Sequence, residues 1–466
     1  MPDGYCVIQV DSRGTGKSPG MMDPFSPQET RDYADAIGWA AGQPWSTGKV
    51  GLIGVSYLAI NQWQVAALRP AGLAAIVPWE GASDFYREFT HHGGISSDGF
   101  NRGWWPRQVL VNQHGNGDTR YRDAAGAPVT GQPLGTAMLD GNRVDYPADL
   151  ARYPLADAWH AGRSPGLPRI AVPVLSAGNW GGPGVHLRGN LEGYCRAGSV
   201  EKWLSMHIGT HFESFYLPQY RALQKRFLDY ALKGIDDAWT AGPPVRLAVR
   251  QADGIAVLRD EQEWPLARTR WTPFHLDAAA RTLDERPAPT GQVRLAALRD
   301  SVDFTTPPFS EPTECIGPVT LRLWVASTGT DADLFAVLRA FDPAGREAIF
   351  TGAHEAAPVA RGWLRVSHRD PDARALPHRP FHRHDAPQPM IPGEPTLVQV
   401  EIWPTSIVLP PGHRLVLTIQ GFDLQYPGTP GRILHSPRAA AGDEVYTLLT
   451  GAECDSCLVL PLIPPA

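Results

Sequence analysis

The stretch KVGLIGVSYLAINQ, residues 49–62, decides the fold of this 466-residue chain. An apolar run passes almost directly into a helical pattern, and Ser56 stands at the junction. A turn this sharp needs small neighbours, which Gly54 and Ala59 supply, and it pushes a serine hydroxyl out at the carboxyl edge of a sheet. The strict G-x-S-x-G spacing fails because Leu58 occupies the place of its second glycine. A nucleophilic serine and an ordinary turn serine are therefore both open readings of Ser56.

Strand and helix patterns alternate on both sides of this stretch, which predicts a parallel α/β sheet. The predicted strands are GYCVIQVD (4–11), KVGLIG (49–54), LAAIVPW (73–79), RIAVPVLSAG (169–178) and KWLSMHIG (202–209). The predicted helices are SPQETRDYADAIGWAA (26–41), YLAINQWQVAAL (57–68) and QYRALQKRFLDYALKG (219–234).

The remaining segments lack this alternation. Clustered aromatic residues and glycines without a clean period indicate an inserted cap over residues 84–165, which divides the α/β core into residues 1–83 and 166–240. From residue 241 to residue 466, short alternating runs separated by proline and glycine turns predict an antiparallel β-sandwich, for example VTLRLWVAS, TLVQVEIW and RLVLTIQGF.

Composition excludes several classes of function. The net charge of −6 leaves no basic surface for nucleic acid, and no apolar run approaches the ~20 residues that span a bilayer. The first residues carry no signal-peptide pattern, which predicts a cytoplasmic protein. GTGKS is not a P-loop because Asp11 replaces the required glycine.

Metal and cofactor chemistry is not indicated either. An odd number of cysteines predicts reduced thiols, and the C-x-x-C formed by Cys454 and Cys457 lacks a second pair. The remaining histidine groups lack acidic companions at ligand spacing, so we expect no metal and no cofactor; these histidines are His91, His92, His378, His382 and His384.

Several longer blocks carry a family resemblance. They include GYCVIQVDSRGTGKSPG, DAIGWAAGQPWSTGKVGLIGVSYLAINQ, LAAIVPWEGASDFYRE, VPVLSAGNW, DADLFAVLRAFDPAG and RGWLRVSHR. Together they resemble the X-Pro dipeptidyl-peptidase and cocaine-esterase-like acyl esterases. The resemblance implies an α/β-hydrolase core with an inserted helical cap, followed by a C-terminal jelly-roll β-sandwich. It also implies hydrolysis of esters or amides by a Ser-Asp-His triad without a cofactor, with the nucleophile at Ser56.

A serine hydroxyl is a poor nucleophile until an imidazole takes its proton. KWLSMHIGTHFESF (202–215) offers His207 and His211 for this task. The family pattern places the base seven positions after the leucine matched by Leu204, which is His211. A structural histidine bonded to backbone remains the alternative for either one.

The acid of the triad departs from the family pattern. The resemblance expects an aspartate two residues after Trp180, and Gly182 stands there. Glu80 and Asp84, just past the strand LAAIVPW, and Glu213, two residues beyond His211, are the candidates. We favour Glu80, because the carboxyl ends of neighbouring parallel strands meet at one edge of a sheet.

The oxyanion hole is only partly accounted for. The backbone N–H of Tyr57 is one expected donor, since it follows the nucleophile. In the family, several strands and a tyrosine that supplies a second donor precede the RGTG region, which lies close to the start of this sequence. We therefore expect the sequence as given to leave GYCVIQVD as an open apolar strand edge that favours association. Trp104 and Trp105 either line an acyl pocket or pack the cap onto the core.

These residues predict a serine hydrolase that acts on a small-molecule ester or amide, with a homo-oligomer as the expected assembly. One alternative is an Xaa-Pro dipeptidyl aminopeptidase, which would need cap carboxylates such as Glu88 and Asp98 to hold a substrate ammonium group. Another is a binding protein in which an impaired hydrolase core supports the jelly roll.

Overall fold

The computed structural model describes residues 3–353, 356–426, 433–438 and 441–465. Its α-helices are α1 (Pro27–Ala41), α2 (Tyr57–Ala66), α3 (Asp98–Trp104), α4 (Thr136–Gly141), α5 (Tyr146–Arg152), α6 (Ala158–Gly162), α7 (Leu187–Arg196), α8 (Glu213–Tyr216) and α9 (Pro218–Leu228). Single turns of 3-10 or π-helix include Phe85–Thr90, Trp105–Val109, Leu110–Asn112, Leu167–Arg169, Asp229–Lys233 and Val366–His368.

The strands of the first half are β1 (Val50–Val55), β2 (Leu73–Trp79), β3 (His91–His92), β4 (Ile95–Ser96), β5 (Val174–Asn179), β6 (Lys202–His207), β7 (Val245–Gln251), β8 (Ala256–Glu261) and β9 (Arg270–Asp277). Those of the second half are β10 (Thr282–Asp284), β11 (Gly291–Ala296), β12 (Ser301–Thr305), β13 (Thr313–Ser327), β14 (Asp333–Phe341), β15 (Phe350–Thr351), β16 (Ala356–Ala357), β17 (Ala360–Arg365), β18 (Thr396–Leu409), β19 (Arg414–Gln420), β20 (Val445–Thr450) and β21 (Cys457–Ile463).

A parallel sheet lies at the centre of the first half, as the alternation predicts. Neighbouring strands pair in the order β1, β2, β5, β6 and β7. The carboxyl ends are nearly in register, because Val55 lies opposite Trp79 and Asn179 lies opposite His207. Residues that follow β1, β2, β5 and β6 therefore meet at one edge of the sheet.

The helices that flank the sheet begin and end as their sequences direct. Ser26 caps α1 by accepting a hydrogen bond from the backbone N–H of Glu29, at 3.2 Å. After α9 and the π turn, Gly234 adopts the left-handed conformation with φ 69°, which glycine tolerates best. Both helix predictions are confirmed.

The prediction that GYCVIQVD (residues 4–11) forms a strand is wrong. Residues 4–11 form no strand, and the side chains of Val7 and Val10 are 66% and 61% exposed. The segment is held by polar contacts instead: the Tyr5 hydroxyl donates to Asp229 at 2.6 Å, and Lys233 donates to the Asp3 carbonyl at 2.6 Å. An apolar sequence forms a strand only where a neighbouring strand accepts its backbone hydrogen bonds, and here side chains anchor it elsewhere.

The second half is dominated by antiparallel strands. β13 pairs with β18 and with β21, and β14 pairs with β17 and with β19. Their inward faces form one large apolar core. β7, which the sequence assigned to the β-sandwich, pairs in parallel with β6 and antiparallel with β8, so it extends the parallel sheet.

Helix α7 packs tightly against the chain that leaves β2, and Gly189 makes this approach possible. A Cβ atom at Gly189 would lie 2.5 Å from the Gly81 carbonyl oxygen and 2.6 Å from a Glu88 carboxylate oxygen. We expect Gly189→Ala to lower the free energy of unfolding by about 1–3 kcal/mol, because overpacking forces the backbone apart. Urea unfolding of the variant and the wild type measures this difference.

Gly103→Ala is the matched control for that prediction, because Gly103 lies in α3 and a Cβ there meets nothing within 4 Å. It should change the stability by no more than about 1 kcal/mol, in the stabilising direction, since alanine favours a helix over glycine. Equal unfolding midpoints for Gly189→Ala and the wild type would contradict the close-packing argument.

No helix among the described residues has the length and hydropathy needed to cross a membrane.

Candidate active site

Ser56 occupies a strained turn between β1 and α2. Its backbone has φ 62° and ψ −116°, a conformation that a residue with a side chain adopts only when the surrounding structure enforces it. The turn depends on small neighbours, since a Cβ at Gly54 would lie 2.4 Å from the Cβ of Leu58 and one at Gly81 would lie 2.7 Å from that of Ala59. This is the geometry of a nucleophile elbow.

Glu80 lies directly after β2, at the same edge of the sheet. It is fully buried, and its own φ of 51° is also strained. The Nδ1 of His211 donates to its Oε2 at 2.7 Å, and the Nε2 of His207 donates to its Oε1 at 2.9 Å. The amide of Asn179 contributes a weaker bond to Oε1 at 3.3 Å. One carboxylate thus holds both histidines that the sequence offered as bases.

The environment of Glu80 acts on its charge in two directions. Burial raises the pKa of the Glu80 carboxyl above its usual range, while the hydrogen bonds from His207 and Asn179 lower it. Burial is the larger effect. The carboxylate therefore depends on its imidazole partners for stabilisation, as a carboxylate that orients a catalytic base does.

His186 is a functional candidate that sequence reasoning missed. Its Nε2 lies 3.3 Å from the Ser56 Oγ, and its ring stacks on that of His211 with centroids 4.6 Å apart and planes 4° apart. A signal for it existed, because His186 follows a core strand whose carboxyl end reaches the same edge as Ser56.

The chain between β15 and β16 contacts the loop that contains His211. The backbone N–H of His211 donates to the Ala353 carbonyl at 2.9 Å, and the Ala353 N–H donates to the Gly181 carbonyl at 2.6 Å. A cavity of about 460 Å³ opens beside these contacts, within the size range of small-ligand sites. Its lining comprises Thr210, Ile349, Phe350, Thr351, Gly352, Ala353 and Ala356.

Trp104 and Trp105 contribute to packing. Trp104 stacks on Phe25, which in turn lies 4.2 Å from the ring of Tyr57, and Trp105 stacks on Tyr146 at 5.2 Å. Both tryptophans are 7% exposed. Of the two interpretations left open from the sequence, these contacts support the packing role.

Comparison with known proteins identifies the family. Residues 1–213 match the X-Pro dipeptidyl-peptidase (S15) family, and residues 237–459 match the X-Pro dipeptidyl-peptidase C-terminal non-catalytic domain. A CocE/NonD family hydrolase from Staphylococcus aureus has a similar crystal structure, with a TM-score of 0.85 and 31% identity, over 97% of this chain and 79% of that one. The chain belongs to the X-Pro dipeptidyl-peptidase and cocaine-esterase-like family.

Two further proteins are similar to this chain. Cocaine esterase from Rhodococcus sp. (strain MB1 Bresler) is 27% identical over 538 residues, which cover 99% of this chain and 88% of the esterase. An α-amino acid ester hydrolase shares the fold, with a TM-score of 0.72 at 18% identity over 97% of this chain and 84% of that one. The α/β-hydrolase fold with a C-terminal domain is confirmed, and the chain is a serine hydrolase of ester or peptide bonds.

The candidate acids take different partners in this family member. Glu80 bonds His211, Asp84 pairs with Arg87 at 2.9 Å, and Glu213 accepts from the backbone N–H of Thr210 at 3.3 Å. Gly182, at the family's aspartate position, lies in a tight turn that its N–H closes by donating to the Asn179 carbonyl at 3.0 Å. The structure therefore brings a carboxylate to His211 from the strand next to the usual one.

The Tyr57 backbone N–H belongs to the first turn of α2, where N–H groups have no intrahelical partner. Its side chain is engaged elsewhere, because the hydroxyl donates to the buried carboxylate of Glu29 at 2.6 Å. Within the described residues, no group of three His, Cys, Asp or Glu side chains is arranged to hold a metal ion.

Proposed function

We propose that this enzyme hydrolyses carboxylic esters through an acyl-enzyme on Ser56, with His211 as the base and Glu80 as the acid that orients it. The observation that carries the proposal is the 2.7 Å hydrogen bond from His211 Nδ1 to Glu80. Glu80 lies at the same edge of the sheet as the strained turn that contains Ser56. Because Nδ1 is bound to the carboxylate, Nε2 of His211 is the nitrogen that exchanges the serine proton.

The reaction follows from these roles. Ser56 Oγ attacks the ester carbonyl while its proton passes to His211, and the Tyr57 N–H stabilises the charge that develops on the carbonyl oxygen. His211 then returns the proton to the leaving alcohol as the C–O bond breaks. Water, activated by the same imidazole, releases the acyl group from Ser56.

Amide hydrolysis by an Xaa-Pro dipeptidyl aminopeptidase is the second reading, and the contacts of the cap acids disfavour it. A substrate ammonium group needs carboxylates that can reach it, but Glu88 pairs with Arg188 at 2.7 Å and accepts from the Ser83 N–H at 2.6 Å. Asp98 accepts from the Ser436 N–H at 2.8 Å. The relatives named putative Xaa-Pro dipeptidyl-peptidase cover 21% of this chain, whereas cocaine esterase covers 99%.

A binding protein built on an impaired hydrolase core is the third reading. Gly182 was one of its supports, and the hydrogen bond between Glu80 and His211 weakens that support. Membership of an enzyme family also opposes it.

The proposal includes the finer architecture that the resemblance implies, namely a helical cap over residues 84–165 and a jelly-roll β-sandwich over residues 241–466. The short helices α3–α6 and the antiparallel pairing of β13 with β18 support it. The small-molecule substrate, the homo-oligomer and the cytoplasmic location stay predictions.

A fluorophosphonate probe tests the nucleophile directly, because it forms a covalent bond only with an activated serine. We expect the full chain to be labelled on the peptide that contains Ser56, and Ser56→Ala to abolish the labelling. Ser301→Ala, which changes an exposed serine in β12, is the control and should be labelled like the wild type. Labelling that persists in Ser56→Ala would show that Ser56 is not the nucleophile.

A further inference from the structure

The imidazole of His186 contacts Ser56, and it lies beside the imidazole of the proposed base. His186 Nε2 is 3.3 Å from the Ser56 Oγ, and the His186 ring lies parallel to that of His211 at 4.6 Å. The His186 side chain is buried, with 4% of the residue exposed. A contact between a buried imidazole and the reacting oxygen calls for a chemical role, since the triad already contains a histidine.

The surroundings hold His186 in place. It is the residue immediately before α7, and two anchors fix the start of that helix. Arg188 donates to the buried Glu88 at 2.7 Å and to Glu401 at 2.8 Å. Asn190 accepts from the Gly81 N–H at 2.8 Å and donates to the Pro78 carbonyl at 2.9 Å. The helix is thereby tied to the chain on either side of Glu80, and a site held this firmly keeps its geometry.

The stacking also constrains the charge of the pair. Two imidazolium rings 4.6 Å apart would repel each other in a buried site, which disfavours a positive charge on both rings at once. His211 donates to Glu80 and is the ring whose positive charge a carboxylate compensates. A positive charge that forms during acyl transfer is therefore better compensated on His211 than on His186.

We propose that His186 is a second catalytic histidine, which binds the Ser56 hydroxyl through Nε2 and keeps Oγ directed at the substrate carbonyl beside His211. The inference rests on the proposed function. In the free enzyme the Nε2–H of neutral His186 donates to Ser56 Oγ, which leaves the hydroxyl proton available to His211. As the Oγ–C bond forms, the proton leaves Oγ for His211, which returns it to the leaving alcohol as the C–O bond breaks. His186 ends each half-reaction unchanged.

Two substitutions distinguish the effect of the His186 Nε2 atom from the effect of the ring itself. His186→Phe keeps a ring stacked on His211 but removes Nε2, whereas His186→Gln keeps a polar group that can bind the hydroxyl. We expect His186→Phe to slow the acylation burst with p-nitrophenyl acetate by about 10²-fold with KM little changed, and His186→Gln to stay within about tenfold of the wild type. His186→Ala should match His186→Phe, and it serves if the Phe variant does not fold.

Phe212→Ala is the matched control, because the Phe212 ring contacts the His211 ring at 4.5 Å and Phe212 is 54% exposed. It should leave the burst rate close to that of the wild type. A wild-type burst in His186→Phe, or an equal loss in Phe212→Ala, would reduce His186 to a packing residue and overturn the inference. Failure of the proposed function would appear differently, as absence of labelling at Ser56 in the wild type.

Discussion

Replacing His211 by alanine is expected to lower kcat on an activated ester by about 10³-fold or more, because the proposed triad loses the imidazole that Glu80 orients as the base. The His211 Nδ1 is held by Glu80 at 2.7 Å, so the ring is oriented before substrate arrives. Steady-state kinetics with p-nitrophenyl acetate measures the loss. Fluorophosphonate labelling of Ser56 should slow in parallel, since both reactions need the same base.

His207→Ala is the control for this prediction, since His207 bonds the other oxygen of the same carboxylate at 2.9 Å. His207 is fully buried and its ring stacks on Trp79 at 5.0 Å, which is the setting of a structural residue. Its loss should lower the free energy of unfolding by about 1–3 kcal/mol, because the buried Glu80 Oε1 keeps only the weaker bond from Asn179 at 3.3 Å, and should change kcat less. The reverse ranking of the two variants would show that His207 is the base.

The sequence predicted those parts of the fold that local patterns determine. LAAIVPW gave β2 with its bounds unchanged, and Ser26 with the acids of the first turn gave the start of α1. Such segments form where they do because apolar periodicity and capping act within a few residues. GYCVIQVD failed because strand formation depends on a pairing partner, which a local pattern does not contain.

The residues of the candidate site also differ in whether a local pattern could predict them. Ser56 could be found from its own neighbours, because the elbow requires small residues within three positions. The approach of Glu80 to His211 joins residues 131 positions apart, and that of His186 to Ser56 joins residues 130 apart. Spacing alone supplies neither contact. Glu80 could be predicted because parallel strands end at a common edge, and the same rule applies to His186, which lies in the loop between β5 and α7.

Replacing Glu80 by glutamine is expected to lower kcat by about 10³–10⁴-fold with KM little changed. An amide can still accept from one imidazole, but it cannot compensate the charge of the His211 imidazolium, and its NH₂ group favours the wrong tautomer of the ring. The change also removes a buried ionisable group. Burial raises the pKa of Glu80, so the folded protein binds this proton more tightly than the unfolded chain does.

That difference in proton binding gives a second readout with a definite sign. Where the folded state holds more protons, the free energy of unfolding falls as pH rises. The contribution of Glu80 is therefore lost as pH increases from about 4.3, the usual value for glutamate, through its raised folded value. The wild type should lose stability over this interval relative to Glu80→Gln, and urea unfolding at a series of pH values measures the difference.

Glu213→Gln completes the test of the acid, because Glu213 lies two residues beyond His211 and was the nearest alternative in sequence. Its carboxylate accepts from the Thr210 N–H at 3.3 Å, so the substitution should cost a local hydrogen bond and leave kcat nearly unchanged. Equal losses in the two variants would indicate a general sensitivity of the His211 loop. A large loss of kcat in Glu213→Gln, together with full activity in Glu80→Gln, would show that Glu213 is the acid of the triad. The imidazole of His211 would then be oriented from its own loop and not from the residue that follows β2.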